Sequence, residues 1–168
     1  MTISDRMTQL RHRVAAGRWA LVPLRLLVGF GFAAHGYAKL ARGPESFAAI
    51  LTAMGIPAPG AMAWVTTLLE FLGGISMMLG AFVVPLTLPL AAIMATAMVG
   101  VHLRYGFSSI RLKGITGLGA EFGPVGYELN LIYIAALAAL ALNGSTALSF
   151  DRWFAAKRKL KRSGQAGK

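Results

Sequence analysis

Seven polar or charged side chains stand within otherwise apolar stretches of this 168-residue chain, and their types could do chemistry. A charge near the centre of a bilayer costs about 2.5–3.5 kcal/mol on insertion scales, so such groups usually face a partner, a cavity or water. Histidine changes its protonation near neutral pH, and lysine or arginine can stabilise negative charge on a carbonyl oxygen. These side chains together indicate a site for a small polar head group: Arg25, His35, Lys39, Glu70, His102, Glu128 and Asn130.

Helical geometry brings three of these residues together. At about 100° per residue, His35 lies about 80° and Lys39 about 40° around a helix from Arg25, so all three share one face. We expect that face to look into the interior of the protein. Glu70 falls near the middle of the next apolar stretch, and we expect one polar cavity to collect most of the group.

Each residue has an expected role if the cavity holds a quinone-like head group. Glu70 and His35 are the predicted catalytic residues and handle protons. Arg25 and Lys39 stabilise negative charge on a reduced carbonyl oxygen, and Glu128 orients or neutralises that basic pair. The other predicted ligand-binding residues surround the same pocket: His102, Tyr105, Asn130 and Tyr133.

Two other interpretations of the cluster stay open. Glu70 and Glu128 could neutralise Arg25 and Lys39 and do no more than fix how the helices dock, because buried ion pairs serve specificity in some proteins. For a metal, His35, His102 and Glu70 are the one ligand set worth testing, but their spacing matches no recognised metal motif. We therefore predict neither a metal nor a haem.

The elements that position these residues must lie in a membrane. Apolar residues make up 56% of the chain and charged residues only 14%, with a mean hydropathy of +0.61. Water-soluble proteins carry about a quarter charged residues, so this composition favours lipid. The absence of cysteine excludes thiol catalysis and iron–sulfur ligation by this chain.

Four apolar stretches have about the length of a membrane-crossing helix, roughly 20 residues. They cover residues 19–39, 61–81, 86–105 and 127–143, and we predict an all-α integral membrane four-helix bundle. Residues 106–126 are rich in glycine and serine and form an outer loop or cap. No internal repeat is evident.

The net charge of +11 comes mostly from the two tails, residues 1–18 and 151–168, which hold eleven of the seventeen lysines and arginines. Basic flanks mark the cytoplasmic side of membrane helices, so both termini are predicted to be cytoplasmic. A nucleic-acid-binding protein would spread its basic residues over a folded polar surface, so nucleic acid is not expected as a partner.

Several segments resemble the DoxX family of small bacterial membrane proteins. They are LRLLVGFGFAAHGYAKL, GIPAPGAMAW, LEFLGGISMMLGA, GYELNLIYIAALAALAL and GSTALSFD, and they extend from about Leu24 to Asp151. The positions that match the family pattern are Arg25, His35, Gly36, Lys39, Pro57, Glu70, Gly73, Gly74, Glu128 and Asp151. The resemblance implies a four-helix bundle linked to membrane oxidoreductase systems, since the family is named after a subunit of a thiosulfate:quinone oxidoreductase.

The leading hypothesis is therefore a DoxX-like inner-membrane subunit that binds a quinone-like head group for a partner oxidoreductase. No electron carrier is encoded in the chain, so a subunit is expected rather than a complete enzyme. Two other functions stay open. One is a scaffold that docks partners through its basic tails, whose run from Lys157 to Arg162 could equally bind anionic lipid, and the other is a small-solute transporter. Homo-oligomerisation is also left open.

Overall fold

The computed structural model describes residues 3–144 and 146–165, so Lys168 of the predicted C-terminal tail lies outside the described residues. Most of the described chain is helical, and one short hairpin interrupts it. The helices are α1 (Ile3–Arg42), α2 (Pro44–Ala53), α3 (Pro59–Leu79), α4 (Val83–Ala97), α5 (Glu128–Asn143) and α6 (Phe150–Gln165), and the strands are β1 (Leu112–Thr116) and β2 (Gly119–Phe122).

Three helical segments are long and apolar enough to cross a membrane: Gly17–Arg42, Pro59–Leu79 and Val83–Tyr105. They correspond to the first three predicted spans. The fourth predicted span forms α5, which is apolar but shorter, with 16 residues. At about 1.5 Å per residue α5 is about 24 Å long, somewhat less than the ~30 Å hydrocarbon core of a bilayer. It is short because the backbone leaves the helical conformation at Gly144, where φ is 66°.

The closest packing in the bundle joins α1 to α3 and depends on glycines. A Cβ added to Gly74 would clash with the backbone nitrogen of Ala33 and would lie 2.6 Å from the carbonyl oxygen of Gly29. On α1, a Cβ added to Gly36 would clash with the backbone of Phe71. Small residues let helix backbones approach in lipid, where expulsion of water contributes little to association. The pattern of small residues therefore positions α1 directly against α3.

The apolar core lies among α1, α3, α4 and α5. Its fully buried members include Phe32, Met77, Leu90, Leu137 and Leu140. Large apolar side chains also cover the outside of the helices, for example Leu27, Leu72 and Leu88, which are exposed within the chain. An apolar interior combined with an apolar exterior is the pattern expected of helices that lie in lipid.

At one end of the bundle, a network that we call the clasp joins Arg25 to residues 146–149 and Asp151. Arg25 is 2% exposed, and its guanidinium donates to the carbonyl oxygens of Met78 (3.2 Å), Ala147 (3.3 Å) and Leu148 (3.0 Å) and to the hydroxyl of Thr146 (2.5 Å). The clasp thus ties α1 to the end of α3 and to the connection between α5 and α6.

The Asp151 carboxylate completes the clasp by accepting hydrogen bonds from the backbone nitrogens of Phe82 (2.9 Å) and Val83 (3.1 Å) at the start of α4. A carboxylate at this position satisfies free N–H groups and interacts favourably with the positive end of the helix dipole. The first turn of α6 is therefore fixed to the connection between α3 and α4.

At the opposite end of the bundle, α4 does not continue as a regular α-helix. It passes into a π turn at Met98–His102 and then into a short 3-10 turn at Leu103–Tyr105. The antiparallel hairpin of β1 and β2 follows, with an irregularity in its register between Leu112 and Gly114. The predicted outer loop, 106–126, thus contains a hairpin, and α2 packs against α3 at this end of the bundle.

Candidate functional site

A cavity of about 610 Å³ lies in the half of the bundle away from the clasp. All of α1 to α5 contribute to its wall, and most of the lining side chains are apolar. This volume falls in the range of about 300–1,000 Å³ that is usual for small-molecule sites. Six of the nine predicted ligand-binding residues line the cavity: His35, Lys39, Glu70, His102, Asn130 and Tyr133.

An ion pair between Lys39 on α1 and Glu70 on α3 forms the charged part of the cavity wall. The Lys39 ammonium lies 2.6 Å from the Glu70 carboxylate, and the two side chains are 22% and 3% exposed. The same ammonium lies 4.1 Å from the centre of the Phe47 ring on α2, at a distance where a cation is attracted to an aromatic face. Glu70 therefore has its charge compensated, while Lys39 keeps N–H donors for a further acceptor.

Two histidines border the cavity from different helices. His102 Nδ1 lies 2.9 Å from the carbonyl oxygen of Val125, so this nitrogen carries the proton in the neutral ring and Nε2 is left as the acceptor. His35 is exposed, and within the described part of the chain its ring makes no hydrogen bond. The two imidazoles thus differ, since one is oriented by the backbone and the other is free to meet a ligand.

The π turn explains how His102 reaches the cavity. In an uninterrupted α-helix, His102 would lie about 180° around the axis from Ile93, which lines the cavity. A π turn accommodates one additional residue and rotates the following side chains by about 100° towards the preceding face. Because of this turn, Ile93, Val101 and His102 all line the same space.

Two uncharged polar residues of α5 complete the wall. Asn130 is buried, and its amide nitrogen donates to the carbonyl oxygen of Met94 (3.3 Å), which fixes α5 against α4. The Tyr133 ring packs edge-on against Phe32 with 5.5 Å between ring centres, and its hydroxyl contacts the backbone of Gly31. Both residues present a polar group to an otherwise apolar surface.

The structure does not place Arg25, Tyr105 and Glu128 on this cavity. Arg25 belongs to the clasp, where its two terminal guanidinium nitrogens donate to backbone carbonyls and to Thr146, while Nε has no hydrogen-bond partner among the described residues. The Glu128 carboxylate accepts a hydrogen bond from the backbone nitrogen of Ser109 (2.9 Å) at the start of α5, so it does not neutralise the basic pair. The Tyr105 ring packs against the Arg104 guanidinium at 4.9 Å. The expected single cluster is therefore divided, because Arg25 and Glu128 bond to backbone groups outside the cavity.

The sequence analysis missed the part of the wall that α2 supplies, which includes Phe47, Leu51 and Met54. Met54 also packs against Gly100, so the end of α2 meets the π turn of α4. A signal for this helix is present at Pro44 and Glu45, since proline and an acidic residue are favoured in the first turn of a helix. Thr66, one turn before Glu70 on α3, is a further lining residue that the analysis did not single out.

The cavity can recognise an uncharged, largely apolar molecule that carries hydrogen-bond acceptors. Lys39 can donate to such an acceptor, His35 can donate or accept a proton, and the apolar wall excludes water and strengthens these interactions. Among the residues that the structure describes, no group of three or more histidine, aspartate or glutamate side chains could hold a metal ion, so His35, His102 and Glu70 do not form such a group.

Comparison with known proteins identifies a family whose model matches the chain. A model of the DoxX family matches residues 20–103, which is half of the chain and covers α2, α3, α4 and most of the membrane-crossing part of α1. Four of the six predicted ligand-binding residues that line the cavity lie in this segment: His35, Lys39, Glu70 and His102. No curated protein and no solved structure matches the chain.

Proposed function

The chain belongs to the DoxX family of membrane proteins, and from this premise we propose that it is a subunit of a membrane oxidoreductase system whose cavity binds a quinone-like ligand. The observation that carries the proposal is the Lys39–Glu70 pair set in a largely apolar cavity of about 610 Å³. An apolar wall with few polar groups suits a molecule that dissolves in lipid and carries carbonyl oxygens.

The chain's own residues would divide the work of holding the ligand. Lys39 and His35 would donate hydrogen bonds to its carbonyl oxygens, and Glu70 would keep the Lys39 ammonium in place. The apolar side chains of α2, α3 and α4 would enclose the ring. The bound quinone would supply the redox chemistry, and a partner subunit would have to supply the electrons, since the chain has no cysteine to ligate an iron–sulfur cluster.

The proposal includes a four-span arrangement in a bacterial inner membrane with both termini in the cytoplasm. α5 begins beside the end of the α4 span, where the backbone of Tyr127 bonds to Gly106, and it ends next to the clasp. It therefore covers the same distance as α4 in the opposite direction, which supports a fourth crossing by a short helix. The basic tails favour the cytoplasm for the clasp end.

Cysteine labelling can test this topology without any background, because the chain contains no cysteine. We expect an Ala120→Cys variant, in β2, to react with a membrane-impermeant maleimide in intact spheroplasts. An Ala156→Cys variant, in α6, should react only after the membrane is broken. Both positions are exposed, so access to the reagent depends on the side of the membrane. Labelling of both variants in intact spheroplasts would contradict the four-span arrangement.

Ligand binding can be tested with a short-chain ubiquinone titrated into the purified full chain. We expect saturable binding, and a Lys39→Met variant should bind at least about tenfold more weakly, because a charge-assisted hydrogen bond contributes about 1.5–3 kcal/mol. A Glu70→Gln variant should also bind more weakly, since it releases Lys39 from its fixed position. Quenching of tryptophan fluorescence measures the affinity, and circular dichroism checks that each variant is folded.

The matched controls are Lys113→Met and Glu121→Gln, which make the same changes at exposed positions of the hairpin. Both should bind the quinone as the wild type does. Failure of the wild-type protein to bind would exclude the proposed ligand and leave a scaffold or a transporter as the function. Equal affinity of the Lys39→Met variant and the wild type would show that binding takes place elsewhere.

A further inference from the structure

α6 separates its aromatic and basic side chains on two sides. Phe150, Trp153 and Phe154 follow the i, i+3, i+4 spacing of one helix face, and each is about half exposed. Arg152, Arg158 and Lys159 lie elsewhere around the helix and are exposed. This arrangement gives α6 one apolar face and one strongly basic face.

No other element of the described part of the chain covers the apolar face of α6. Among the described residues, α6 makes no extensive packing with any other helix or strand. Its aromatic rings contact one another instead, Phe150 with Trp153 at 6.2 Å and Trp153 with Phe154 at 5.1 Å between ring centres. An exposed aromatic face of this size indicates a partner outside the chain.

The charged side chains that α6 leaves available to a partner are all basic. The one acidic residue of α6 is Asp151, and its carboxylate is held at the start of α4 by the backbone of Phe82 and Val83. The Lys157 ammonium lies 3.9 Å from the centre of the Trp153 ring in a cation–π contact, so a basic group also stands on the aromatic face. A surface of this composition complements phosphate groups above an apolar layer.

The clasp places this helix at the end of the membrane-crossing bundle. Asp151 lies directly beside the connection between α3 and α4, where the bulky side chain of Phe82 is also exposed. We propose that α6 lies in the bilayer interface and binds acidic phospholipid, with Arg152, Arg158 and Lys159 at the phosphate groups and the aromatic side chains at the acyl boundary. Aromatic residues are enriched at this depth, and acidic lipid attracts basic segments next to a membrane helix.

The test uses the full chain in nanodiscs with Trp153 as its only tryptophan, after Trp19→Phe and Trp64→Phe. Part of the phosphatidylcholine is brominated near the top of its acyl chains, so that it quenches a tryptophan at the interface. We expect bromolipid to quench Trp153, and the quenching to rise by about twofold or more when phosphatidylglycerol is added. A variant with Arg152→Gln, Arg158→Gln and Lys159→Gln should lose this rise and keep its helical circular dichroism.

The matched control neutralises three exposed basic residues at the other end of the bundle, Arg104→Gln, Arg111→Gln and Lys113→Gln, and should keep the full response to phosphatidylglycerol. The proposal is overturned if Trp153 is quenched by acrylamide in water but not by bromolipid, which would leave α6 free to meet an acidic protein instead. It is equally overturned if the neutralised α6 variant responds to phosphatidylglycerol as the wild type does.

Discussion

Replacing Arg25 by alanine is expected to lower the midpoint of thermal unfolding by about 6–12 °C, the largest loss of stability for a single side chain in this protein. The change removes four hydrogen bonds from a charged donor, and it leaves the buried carbonyl oxygen of Ala147 and the partly buried ones of Met78 and Leu148 without that partner. We expect a cost of about 3 kcal/mol or more. Circular dichroism of the detergent-solubilised protein during heating gives the midpoint.

An Arg25→Lys variant should be intermediate, since an ammonium keeps the charge but cannot reach all four acceptors from one position. The matched control is Arg42→Ala, which removes an exposed guanidinium from the same helix and should leave the midpoint within about 1–2 °C of the wild type. An Arg25→Ala protein as stable as the control would mean that the clasp contributes nothing to stability.

Replacing Gly74 by alanine is expected to lower the unfolding midpoint by about 4–8 °C, although alanine is the better helix former by about 1 kcal/mol. The added methyl group would clash with the backbone of Ala33 and lie 2.6 Å from the Gly29 carbonyl oxygen, so α1 and α3 would have to separate. Overpacking of this kind typically costs about 1–3 kcal/mol, and a contact between two backbones has few ways to relax.

The neighbouring glycine provides the control for this prediction. A Cβ at Gly73 would meet the Leu86 side chain at 3.5 Å, which is an ordinary contact, so Gly73→Ala should be as stable as the wild type or more so. The same thermal unfolding measurement compares the two variants. If the two variants shift the midpoint equally, Gly74 is not required for the close approach of α1 and α3.

Much of the fold follows from the sequence, because the bilayer imposes a simple rule. Apolar stretches of about 20 residues predict membrane-crossing helices, and the three helical segments long enough to cross a membrane occur where that rule places them. The helix α2 escaped prediction because its ten residues are too few to span a membrane and lie between two longer apolar stretches.

The candidate site could be predicted from the sequence only where a side chain has another side chain as its partner. The Lys39–Glu70 pair follows from two opposite charges on neighbouring spans, since neither is tolerated alone in an apolar interior. Arg25 could not be assigned in this way, because three of its four partners are backbone carbonyls between 53 and 123 residues away, and a carbonyl carries no sequence signature. Glu128 was likewise assigned to a basic partner, although it bonds to the backbone nitrogen of Ser109.

The π turn at Met98–His102 holds one residue more than a regular α-helical turn. This extra residue interrupts the regular hydrogen bonding of α4, and it also decides which side chains of α4 line the cavity. If the same residues adopted ordinary α-helical hydrogen bonding with none deleted, His102 would turn away from Ile93 by about 100° around the helix axis. Regular α-helical hydrogen bonding throughout α4 would thus remove the His102 imidazole from the cavity wall. The helix gives up part of its regularity in exchange for a polar group beside the ligand space.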